Sequence, residues 1–492
     1  MKNFMNYLED QLNTSTTENG AIGYATTGHK LLDLNFATSS LRYCYDEEIQ
    51  KKFIEALKED PELTLKWLFF ARDIKEGMGE RRLFRVCLPV VADAFQDHAK
   101  ELVYLVSGYG RFDDLFCLQN NKIWLNIQRE LLMILKKDLE KMQAKQPVSL
   151  LAKWMPSENA SSAKTRALAK DFIKYFFSPR EYRKILSALR NYIDVTESKM
   201  SNNKWNEINY NKVPSKAATN YRNAFIRHDE ERYNKYIFDV QTGKSKINAS
   251  TLMPYEIWHK IKEYDETLEA LWNNLDTSFK LEKNILVVVD GSFSMNDYVD
   301  PKSKVQAIDV SRSLGVFCAE RLPEHFKNRF ITFSATPELV DLNNCSNLFE
   351  KKYEMSHHYD MTNTDIKAVF DLILNTALTH NLSQKDLPDT ILIISDMEFD
   401  NALMNKPDKK LFCFIKDKFN QHGYEIPRLV FWNVNSRTNT IPVKENELGV
   451  TLVSGFSPNI LKMVMSNKLD PWENLLEVLN SDRYVAVETL LI

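Results

Sequence analysis

ILVVVDGSFS, residues 285–294, is the stretch that decides the fold of the C-terminal part of the chain. The near-continuous β-branched run before Asp290 is typical of a central strand that is buried on both faces of a parallel sheet. Ser292 and Ser294 alternate with Asp290, so one turn after the strand can bring a carboxylate and two hydroxyls around a common point. The stretch therefore predicts a buried strand that ends in a cluster of oxygen ligands.

Strand-like and helix-like segments alternate after this stretch. The apolar runs RFITFS, TILIISD (390–396), RLVFWNVN (428–435) and TLVSG are separated by longer segments with helical spacing, such as KVQAIDVSRSLGVFCAERL and IKAVFDLILNTAL. Alternation of β and α segments of these lengths implies right-handed crossovers and a mostly parallel, doubly wound sheet. We therefore predict an α/β domain over residues 280–492.

The N-terminal part has a different pattern. Apolar residues recur there at three- and four-residue spacing, without the alternation of strands. Asp60 and Pro61 supply an N-cap and a first helical residue, residues 123–142 form the clearest long amphipathic helix, and Pro89 should bend or divide another helix. We predict an all-α domain over residues 1–275, built from helical hairpins that form either a HEAT-like stack or an irregular bundle.

The composition is that of a folded, soluble protein, with 44% hydrophobic and 27% charged residues. The six cysteines lie far apart, without a CxxC pair or zinc-ligand spacing, which favours reduced thiols in an intracellular, cytoplasmic protein. The N-terminus, MKNFMNYLEDQL, lacks the basic region and apolar stretch of a secretory signal. No apolar run approaches the roughly 20 residues of a membrane span, so we expect no membrane contact.

Three polar segments fall where such a sheet binds ligands. DGSFS (290–294) and SDMEFD (395–400) each begin at the end of a predicted strand, and TNTD (362–365) directly precedes a helix. The carboxyl ends of parallel strands and the loops that follow them converge on a crevice at one edge of the sheet. Mg²⁺ takes an octahedron of hard oxygen ligands at about 2.1 Å, which these hydroxyls and carboxylates can supply. We therefore predict a site for Mg²⁺ or another divalent cation.

A strand that ends in DxSxS, a threonine-containing loop and a later strand that ends in Asp together resemble the metal-ion-dependent adhesion site of von Willebrand factor A (vWA) domains. The resemblance implies a vWA-like fold for residues 280–492 and a cation that binds a carboxylate of a protein partner. Thr364 matches the family's threonine better than Thr362, because it directly precedes Asp365 and a helix, although MTN replaces the usual Gly-rich approach. The implied metal ligands are Asp290, Ser292, Ser294, Thr364 and Asp396.

Two alternatives to an occupied cation site stay open. Asp290 can merely cap the following turn, with Ser292 and Ser294 as loop hydroxyls that satisfy backbone donors. Alternatively, the domain has the vWA fold, but its site holds no ion in the cell. Asp365, Glu398 and Asp400 lie near the site in sequence and are not predicted to be ligands.

The helical part carries a second resemblance. TENGAIGYATTGHKLLDLNFATSSLR, FARDIKEGMGERRLF, YGRFDDLF and the stretch from SKMSNNKWNEINYNKVPSKA to STLMPYEI look like segments of an uncharacterised family of intracellular and viral proteins that joins a helical region to a vWA-like domain. The order of parts and the pattern WxxIxYxxVPSxA at residues 205–217 are also similar to the Ro ribonucleoproteins. Their helical TROVE module binds structured small RNAs and RNA ends. This similarity implies a TROVE-like domain over residues 1–275.

Charge in the helical part also agrees with RNA as a ligand. Residues 151–250 hold 19 basic and 10 acidic side chains, an excess that attracts phosphates. Aromatic side chains interleave with cations from residue 205 to 235, so rings could stack on unpaired bases; alternatively, the rings form core and the cations cover a solvated face. The aromatic residues are Trp205, Tyr210, Tyr221, Phe225 and Tyr233. The candidate RNA-binding side chains are Lys212, Lys216, Arg222, Arg227 and Arg232.

Three functions from different classes fit these patterns. The leading hypothesis is a non-enzymatic scaffold, in which the vWA-like domain captures a protein partner through Mg²⁺ and the helical domain supplies a second binding surface. The runner-up is a Ro-like protein whose helical domain binds structured or single-stranded RNA. The third is a metal-dependent hydrolase, although a hydroxyl-rich ligand set differs from the bridging carboxylates that two-metal phosphoryl transfer needs. The sequence contains neither a GxxxxGK[ST] phosphate loop nor a GxSxG elbow.

Overall fold

In a computed structural model of the chain, contacts group the residues into two compact units. The α/β unit spans residues 1–67 and 249–481, and the helical unit spans residues 68–248 and 482–492. Within these units the structure describes residues 12–13, 15–16, 22–176, 178–275, 284–300, 303–358, 364–398, 409–437, 441, 450–465 and 470–491. The described residues are mostly helical, with one mixed six-stranded sheet in the C-terminal region, which confirms the predicted combination of all-α and α/β parts.

The large sheet has the strand order β5-β4-β3-β6-β7-β8. All of its neighbouring strands are parallel except β5, which runs antiparallel to β4. This order matches the 3-2-1-4-5-6 arrangement of doubly wound sheets, with one edge strand reversed. The strands are β1 (Ser15–Thr16) and β2 (Ile22–Gly23), which form a separate antiparallel pair, and β3 (Ile285–Asp290), β4 (Arg329–Phe333), β5 (Leu339–Asp341), β6 (Thr390–Ser395), β7 (Arg428–Asn433) and β8 (Val450–Ser454).

The helices of the first half of the chain are α1 (Lys30–Phe36), α2 (Asp46–Glu59), α3 (Pro61–Arg72), α4 (Arg81–Ala94), α5 (Ala99–Tyr109), α6 (Trp124–Gln143), α7 (Leu151–Trp154), α8 (Ala163–Ile173), α9 (Pro179–Ile193), α10 (Thr196–Ser201) and α11 (Ser215–Gln241). Those of the second half are α12 (Pro254–Trp258), α13 (Glu266–Asn273), α14 (Ala307–Ala319), α15 (Leu348–His357), α16 (Ile366–Thr379), α17 (Lys409–Gln421), α18 (Leu461–Met465) and α19 (Pro471–Leu479). None of the described helices is long and apolar enough to cross a membrane.

Helices cover both faces of the large sheet because successive side chains of a strand point to opposite sides. Val288 faces a core that contains residues of β4, β6, β7, α16 and α17. Val289 faces α14, where a Cβ on Gly315 would lie only 2.4 Å from a methyl carbon of Val289. Glycine at position 315 therefore lets α14 pack directly on the central strand. The predicted buried strand thus has an apolar layer on each side.

Several predicted features of the helices can be checked directly. Helix α6 confirms the long helix expected at residues 123–142. Asp60 acts as the expected cap, since its Oδ1 accepts a hydrogen bond of 2.9 Å from the backbone N–H of Leu63 at the start of α3. Of the two effects expected of Pro89, division of the helix does not occur, because α4 continues through it. Proline leaves the carbonyl of Arg85 without its helical donor, which is the usual cause of a bend at such a position.

The two units differ from the predicted division at residues 275–280. Phe36 of α1 lies in the core beneath the sheet. Trp272 of α13 packs against Phe317 of α14, with 6.4 Å between ring centroids, and donates to Glu320 at 2.9 Å. Tyr484, near the C-terminus, packs in the helical unit. Burial of these large rings accounts for the assignment of residues 1–67 and 249–275 to the α/β unit and of residues 482–492 to the helical unit.

Candidate functional site

The order in which the chain adds strands to the sheet reverses between β3 and β6. From β3 the chain passes to β4 on one side and later returns to β6 on the other side of β3. Connections that leave neighbouring strands in opposite directions open a crevice at the carboxyl ends of those strands, which is where open α/β sheets bind ligands. Asp290 is the last residue of β3, and Asp396 directly follows β6. Two carboxylates therefore stand at the switch point of the sheet.

Asp290 is completely buried. Its Oδ1 accepts a hydrogen bond of 2.9 Å from the backbone N–H of Ser292, and its Oδ2 accepts one of 2.5 Å from the hydroxyl of Ser395. The first bond is the turn cap that one of the sequence-based alternatives proposed. The second holds the carboxylate in a fixed orientation beneath the crevice.

The hydroxyl oxygens of Ser292 and Ser294 lie 3.0 Å apart. Ser292 precedes a short 3-10 helix, Phe293–Asn296, without capping it through its side chain. The alternative in which Ser292 only satisfies backbone donors is therefore not what the structure shows, because its hydroxyl faces that of Ser294. The two oxygens form a polar pair above the carboxylate of Asp290.

Asp396 is 1% exposed and accepts hydrogen bonds from the side chain of Ser294 and from the backbone N–H of Glu398, the latter at 3.2 Å. Burial, followed by the negative charge of Asp290, raises the pKa of Asp396 to about 7. Two buried carboxylates that interact are costly when both are ionised. Either protonation of Asp396 or a positive charge beside the pair offsets this cost.

Arg437 supplies part of that charge. Its Nη2 lies 3.5 Å from Oδ2 of Asp396, while its Nη1 donates to Asp297 at 2.7 Å. Its backbone N–H donates to Oε1 of the buried Glu398 at 2.9 Å. The sequence patterns pointed to neither Arg437, which lies in a loop far from the motif in sequence, nor Asp297, which follows the motif without a pattern of its own. Ser395 was not predicted as a ligand either, but it lies inside the quoted SDMEFD segment, so the sequence did point to its position.

Thr364 is buried and directly precedes Asp365, whose Oδ1 accepts from the backbone N–H of Ala368 and caps α16. Asp365 therefore acts as a helix cap, in line with its exclusion from the predicted ligands. Thr362 and Asp400 lie outside the described residues. Asp290, Ser292, Ser294 and Asp396 are brought together, and the approach of the Thr364 hydroxyl to them stays a prediction.

The oxygen set fits a hard divalent cation. Neighbouring ligands of an octahedron with metal–oxygen distances of about 2.1 Å lie about 3.0 Å apart, and the Ser292 and Ser294 hydroxyls have this separation. No group of three or more His, Cys, Asp and Glu side chains is arranged for a metal in the part of the chain that the structure describes. A cation at this edge would therefore depend on serine and threonine hydroxyls as well as on the two carboxylates.

The aromatic residues predicted to stack on RNA bases belong mainly to the core of the helical unit. Tyr210, Phe225 and Tyr233 are buried, and their ring centroids lie 5.0–5.3 Å from one another. The base-stacking hypothesis is therefore wrong for these three rings, and the alternative of a packed aromatic core is correct. Trp205 stacks on His228 at 4.2 Å, and Tyr221 is half-buried.

The five candidate RNA-binding cations divide into two groups. Lys212, Lys216 and Arg227 are exposed. Arg222 donates to the carbonyl of Thr219 at 2.9 Å, and Arg232 donates to the carbonyl of Ile208 at 2.8 Å and pairs with Asp229. Arg222 and Arg232 therefore make intramolecular bonds that hold local structure.

Comparison with known proteins gives matches over nearly the whole chain. Residues 284–485 match the model of a domain of unknown function, DUF7788, and residues 17–96 and 174–288 match that of another domain of unknown function, DUF2828. The uncharacterized protein L728 of Acanthamoeba polyphaga mimivirus is 30% identical over 516 residues, which cover 95% of this chain and 87% of that protein. The crystal structure of the Ro (RSR) protein of Deinococcus radiodurans aligns over 96% of each chain with 11% identity and a TM-score of 0.34, which is too low to establish a shared fold.

Proposed function

The chain belongs to the family of the mimivirus protein L728, and we propose that it is a non-enzymatic binding protein whose α/β unit captures an acidic protein partner through a divalent cation, Mg²⁺ or one like it. The observation that carries this proposal is the buried pair Asp290 and Asp396 at the switch point of the sheet. Side chains of this kind are rarely buried unless they are paired or coordinate a metal. Arg437 reaches Asp396 at 3.5 Å and also donates to Asp297 at 2.7 Å, so its single charge is shared among carboxylates, and a divalent cation would balance the buried pair.

The ligand set also explains why a partner would be attracted. Asp290, Ser292, Ser294, Thr364 and Asp396 would supply only two full negative charges to the ion. When bound, a divalent cation would be balanced by these two carboxylates without an excess of negative charge, and its neutral hydroxyl ligands would leave it electrophilic enough to take a carboxylate of the partner at an open coordination position. Asp290 and Asp396 would hold it from the floor of the crevice, and Ser395 and the turn after β3 would keep those carboxylates oriented.

The same features favour binding over catalysis. A hydrolase of the two-metal class needs several carboxylates that bridge its ions. Glu398, the other buried carboxylate near the site, accepts hydrogen bonds from Ser436 and from the backbone of Arg437. Both bonds engage Oε1 of Glu398 and tie this carboxylate to the loop after β7. These contacts support the non-enzymatic half of the proposal.

We further infer that the α/β unit is vWA-like and that its site corresponds to the metal-ion-dependent adhesion site. Support comes from the strand order, from the position of DGSFS at the carboxyl end of the central strand and from Asp396 at the end of the neighbouring strand. RNA binding by residues 205–235 has less support, because three of the five aromatic residues are buried. RNA binding can still be tested at three exposed cations, Lys212, Lys216 and Arg227. Their substitution should weaken RNA binding without unfolding the helical unit.

The test is affinity purification of the tagged full-length protein from a native-like lysate, with either Mg²⁺ or EDTA in every buffer. Wild type is compared with Asp290→Ala and with Asp417→Ala, which removes an exposed carboxylate from α17 of the same unit. We expect a protein partner that is retained in Mg²⁺ by wild type and Asp417→Ala, and is lost in EDTA and in Asp290→Ala. A set of partners that is identical with Mg²⁺ and EDTA, or that Asp290→Ala leaves unchanged, contradicts the proposal.

A further inference from the structure

A second charged site lies in the helical unit, independent of the site in the sheet. It joins the end of α3, the first turns of α4 and the start of a 3-10 helix, Phe112–Leu118. All but one of its residues come from two of the segments that the sequence analysis singled out, FARDIKEGMGERRLF and YGRFDDLF, and the remaining one, Arg85, directly follows the first of them. We call this set the arginine cluster; it consists of Arg72, Arg81, Arg85, Arg111, Asp113 and Asp114.

The cluster has a structural role, because its arginines neutralise Asp114, which is completely buried. Its carboxylate accepts from Nε of Arg72 at 2.8 Å, of Arg85 at 2.7 Å and of Arg81 at 3.2 Å. Burial alone would raise the pKa of Asp114, but these guanidinium groups outweigh burial and hold it below its usual value. Asp114 is therefore a fixed negative charge that already has more than one counter-ion.

Arg81, Arg85 and Arg111 share one mode of attachment. Each of them donates to the acidic pair through Nε and Nη2: Arg81 and Arg85 reach both Asp113 and Asp114, and Arg111 holds Asp113 at 2.8 and 2.7 Å. In the part of the chain that the structure describes, Nη1 of each of the three donates to no protein atom. The planar guanidinium groups are thus fixed in direction, with one edge of each available.

The cluster carries more positive than negative charge, and the excess reaches the solvent. Four guanidinium groups meet two carboxylates among these six residues, a net charge of +2. The side chains of Arg81, Arg85 and Arg111 are 40%, 31% and 30% exposed. Burial lowers the pKa of Arg81, and the charges of Arg85 and Arg111 lower it further, while Asp113 and Asp114 act in the opposite direction.

The ring of Trp154 further restricts the side chain of Arg111. The guanidinium carbon of Arg111 lies 4.0 Å from the ring centroid of Trp154, and the ammonium of Lys153 lies 5.5 Å from the same centroid. A stacked guanidinium keeps its in-plane N–H donors, while losing freedom to rotate out of the plane. Lys153 adds another cation beside the cluster.

We propose that the arginine cluster is a binding site for a phosphate group, held by the Nη1 edges of Arg81, Arg85 and Arg111. A phosphate has several strong acceptor oxygens and one or two negative charges, which match three directed donors and a net charge of +2. If the ion pairs were only structural, Arg72 and Arg85 would already neutralise Asp114, and Arg81 and Arg111 would add an excess of positive charge at the surface without a role. The ligand is either a small phosphate compound or a phosphate of a polynucleotide, and the two sources share this chemistry.

The experiment uses the full-length protein and two probes, inorganic phosphate and a fluorescein-labelled single-stranded oligouridylate. Wild type is compared with Arg81→Gln/Arg111→Gln. The charge-matched control is Arg129→Gln/Lys137→Gln, which removes two exposed cations of α6 in the same unit. Phosphate is compared with chloride at equal ionic strength by thermal unfolding, and the oligonucleotide is titrated by fluorescence anisotropy at several salt concentrations.

We expect at least one probe to bind wild type and the control, and to bind the double variant about tenfold or more weakly, since each lost bond is charge-assisted. If the oligonucleotide is the ligand, its salt dependence should also become shallower by about 0.7 in the slope of log K against log salt for one lost phosphate contact. Binding of phosphate alone identifies a small phosphate compound as the source.

Absence of binding to both probes, or equal weakening in the control, overturns the proposal. If the double variant does not fold, Arg81→Gln carries the same test, because Arg72 and Arg85 still hold Asp114 in that variant. Arg81→Lys then separates charge from donor geometry: it keeps the cation, loses the directed edge and should bind the probe more weakly than wild type.

Discussion

Replacement of Asp396 by Asn should stabilise the metal-free protein at pH 8, although most substitutions of buried residues destabilise. The pKa of Asp396 is raised from 3.8 to about 7 by burial and by Asp290. Because the folded-state pKa lies above the unfolded-state value, the free energy of unfolding falls as pH rises from about 4 to about 7 and stays low above that range. Three pKa units correspond to about 4 kcal/mol of cost for the ionised form at pH 8.

Asparagine removes that cost and introduces a smaller one. Where Asp396 has two acceptor oxygens, asparagine has one acceptor oxygen and an NH2 donor, so the adjustment to the bonds that Ser294 and the backbone of Glu398 donate costs about 1 kcal/mol. The expected net gain is therefore about 3 kcal/mol in EDTA at pH 8, and no gain at pH 4, where the wild-type carboxyl is protonated. Urea unfolding at both pH values measures the difference, and Asp417→Asn serves as a control that should change neither value.

Saturating Mg²⁺ should reverse the order of the two proteins. A ligand at 1,000 times its Kd stabilises the folded state by about 4.1 kcal/mol, which exceeds the gain of about 3 kcal/mol expected for Asp396→Asn, and the variant should lose this stabilisation together with a charged ligand. A variant that is destabilised in EDTA at both pH values would refute the reasoning. That result would mean that Arg437 and the surrounding hydroxyls already satisfy Asp396 in the absence of metal.

Three further changes test separate parts of the structure. The double substitution Ser292→Ala/Ser294→Ala should lower Mg²⁺ affinity about tenfold or more in calorimetry while leaving the free energy of unfolding in EDTA within about 1 kcal/mol of wild type; unchanged affinity would exclude these hydroxyls as ligands. Asp114→Asn should destabilise the helical unit by about 3–5 kcal/mol in urea unfolding, because it leaves Arg72 and Arg85 without a buried counter-ion; a loss below 1 kcal/mol would contradict the role assigned to Asp114. Phe36→Ala should cost about 3–5 kcal/mol and speed hydrogen exchange of β6 and β7, since Phe36 is buried in the core beneath them; unchanged exchange in these strands would place α1 outside that core.

The sheet was the most predictable part of the fold. ILVVV and TILII are β-branched runs too apolar for an exposed strand, and the structure buries both at neighbouring central positions. Strand β5 was not predicted, because LVD at 339–341 is only three residues long and lies at the edge of the sheet, where its side chains need not be buried. A local sequence pattern predicts strands that are buried on both faces, and it is less informative for strands at the edge of a sheet.

The division into units depended on long-range packing and could not be deduced from periodicity. Helical spacing from α1 to α13 looks uniform in the sequence, yet Phe36 and Trp272 are buried in the unit that holds the sheet. Tyr484 near the C-terminus packs on Tyr109 instead, with 5.6 Å between ring centroids. A helical pattern shows which face is apolar and does not show which core that face enters.

The candidate site was predictable where its residues share one turn. Asp290, Ser292 and Ser294 are two residues apart, so their convergence follows from the strand that precedes them. Arg437, from a loop after β7, and Asp297, after the turn, had no such signal, because nothing in their neighbours indicates what they contact. The base-stacking hypothesis failed for three of the five aromatic residues for a related reason: rings at helical spacing predict a buried face, and the structure buries Tyr210, Phe225 and Tyr233.

The most direct test of the cation site is isothermal titration of Mg²⁺ into the purified, EDTA-treated chain. Wild type, Asp290→Asn and the control Asp417→Asn are titrated under identical conditions, with circular dichroism to confirm that all three are folded. The structure predicts one Mg²⁺ per chain in wild type and in the control, and its loss in Asp290→Asn. Absence of binding in folded wild type, or equal binding in Asp290→Asn, would contradict a cation site at the carboxyl ends of β3 and β6.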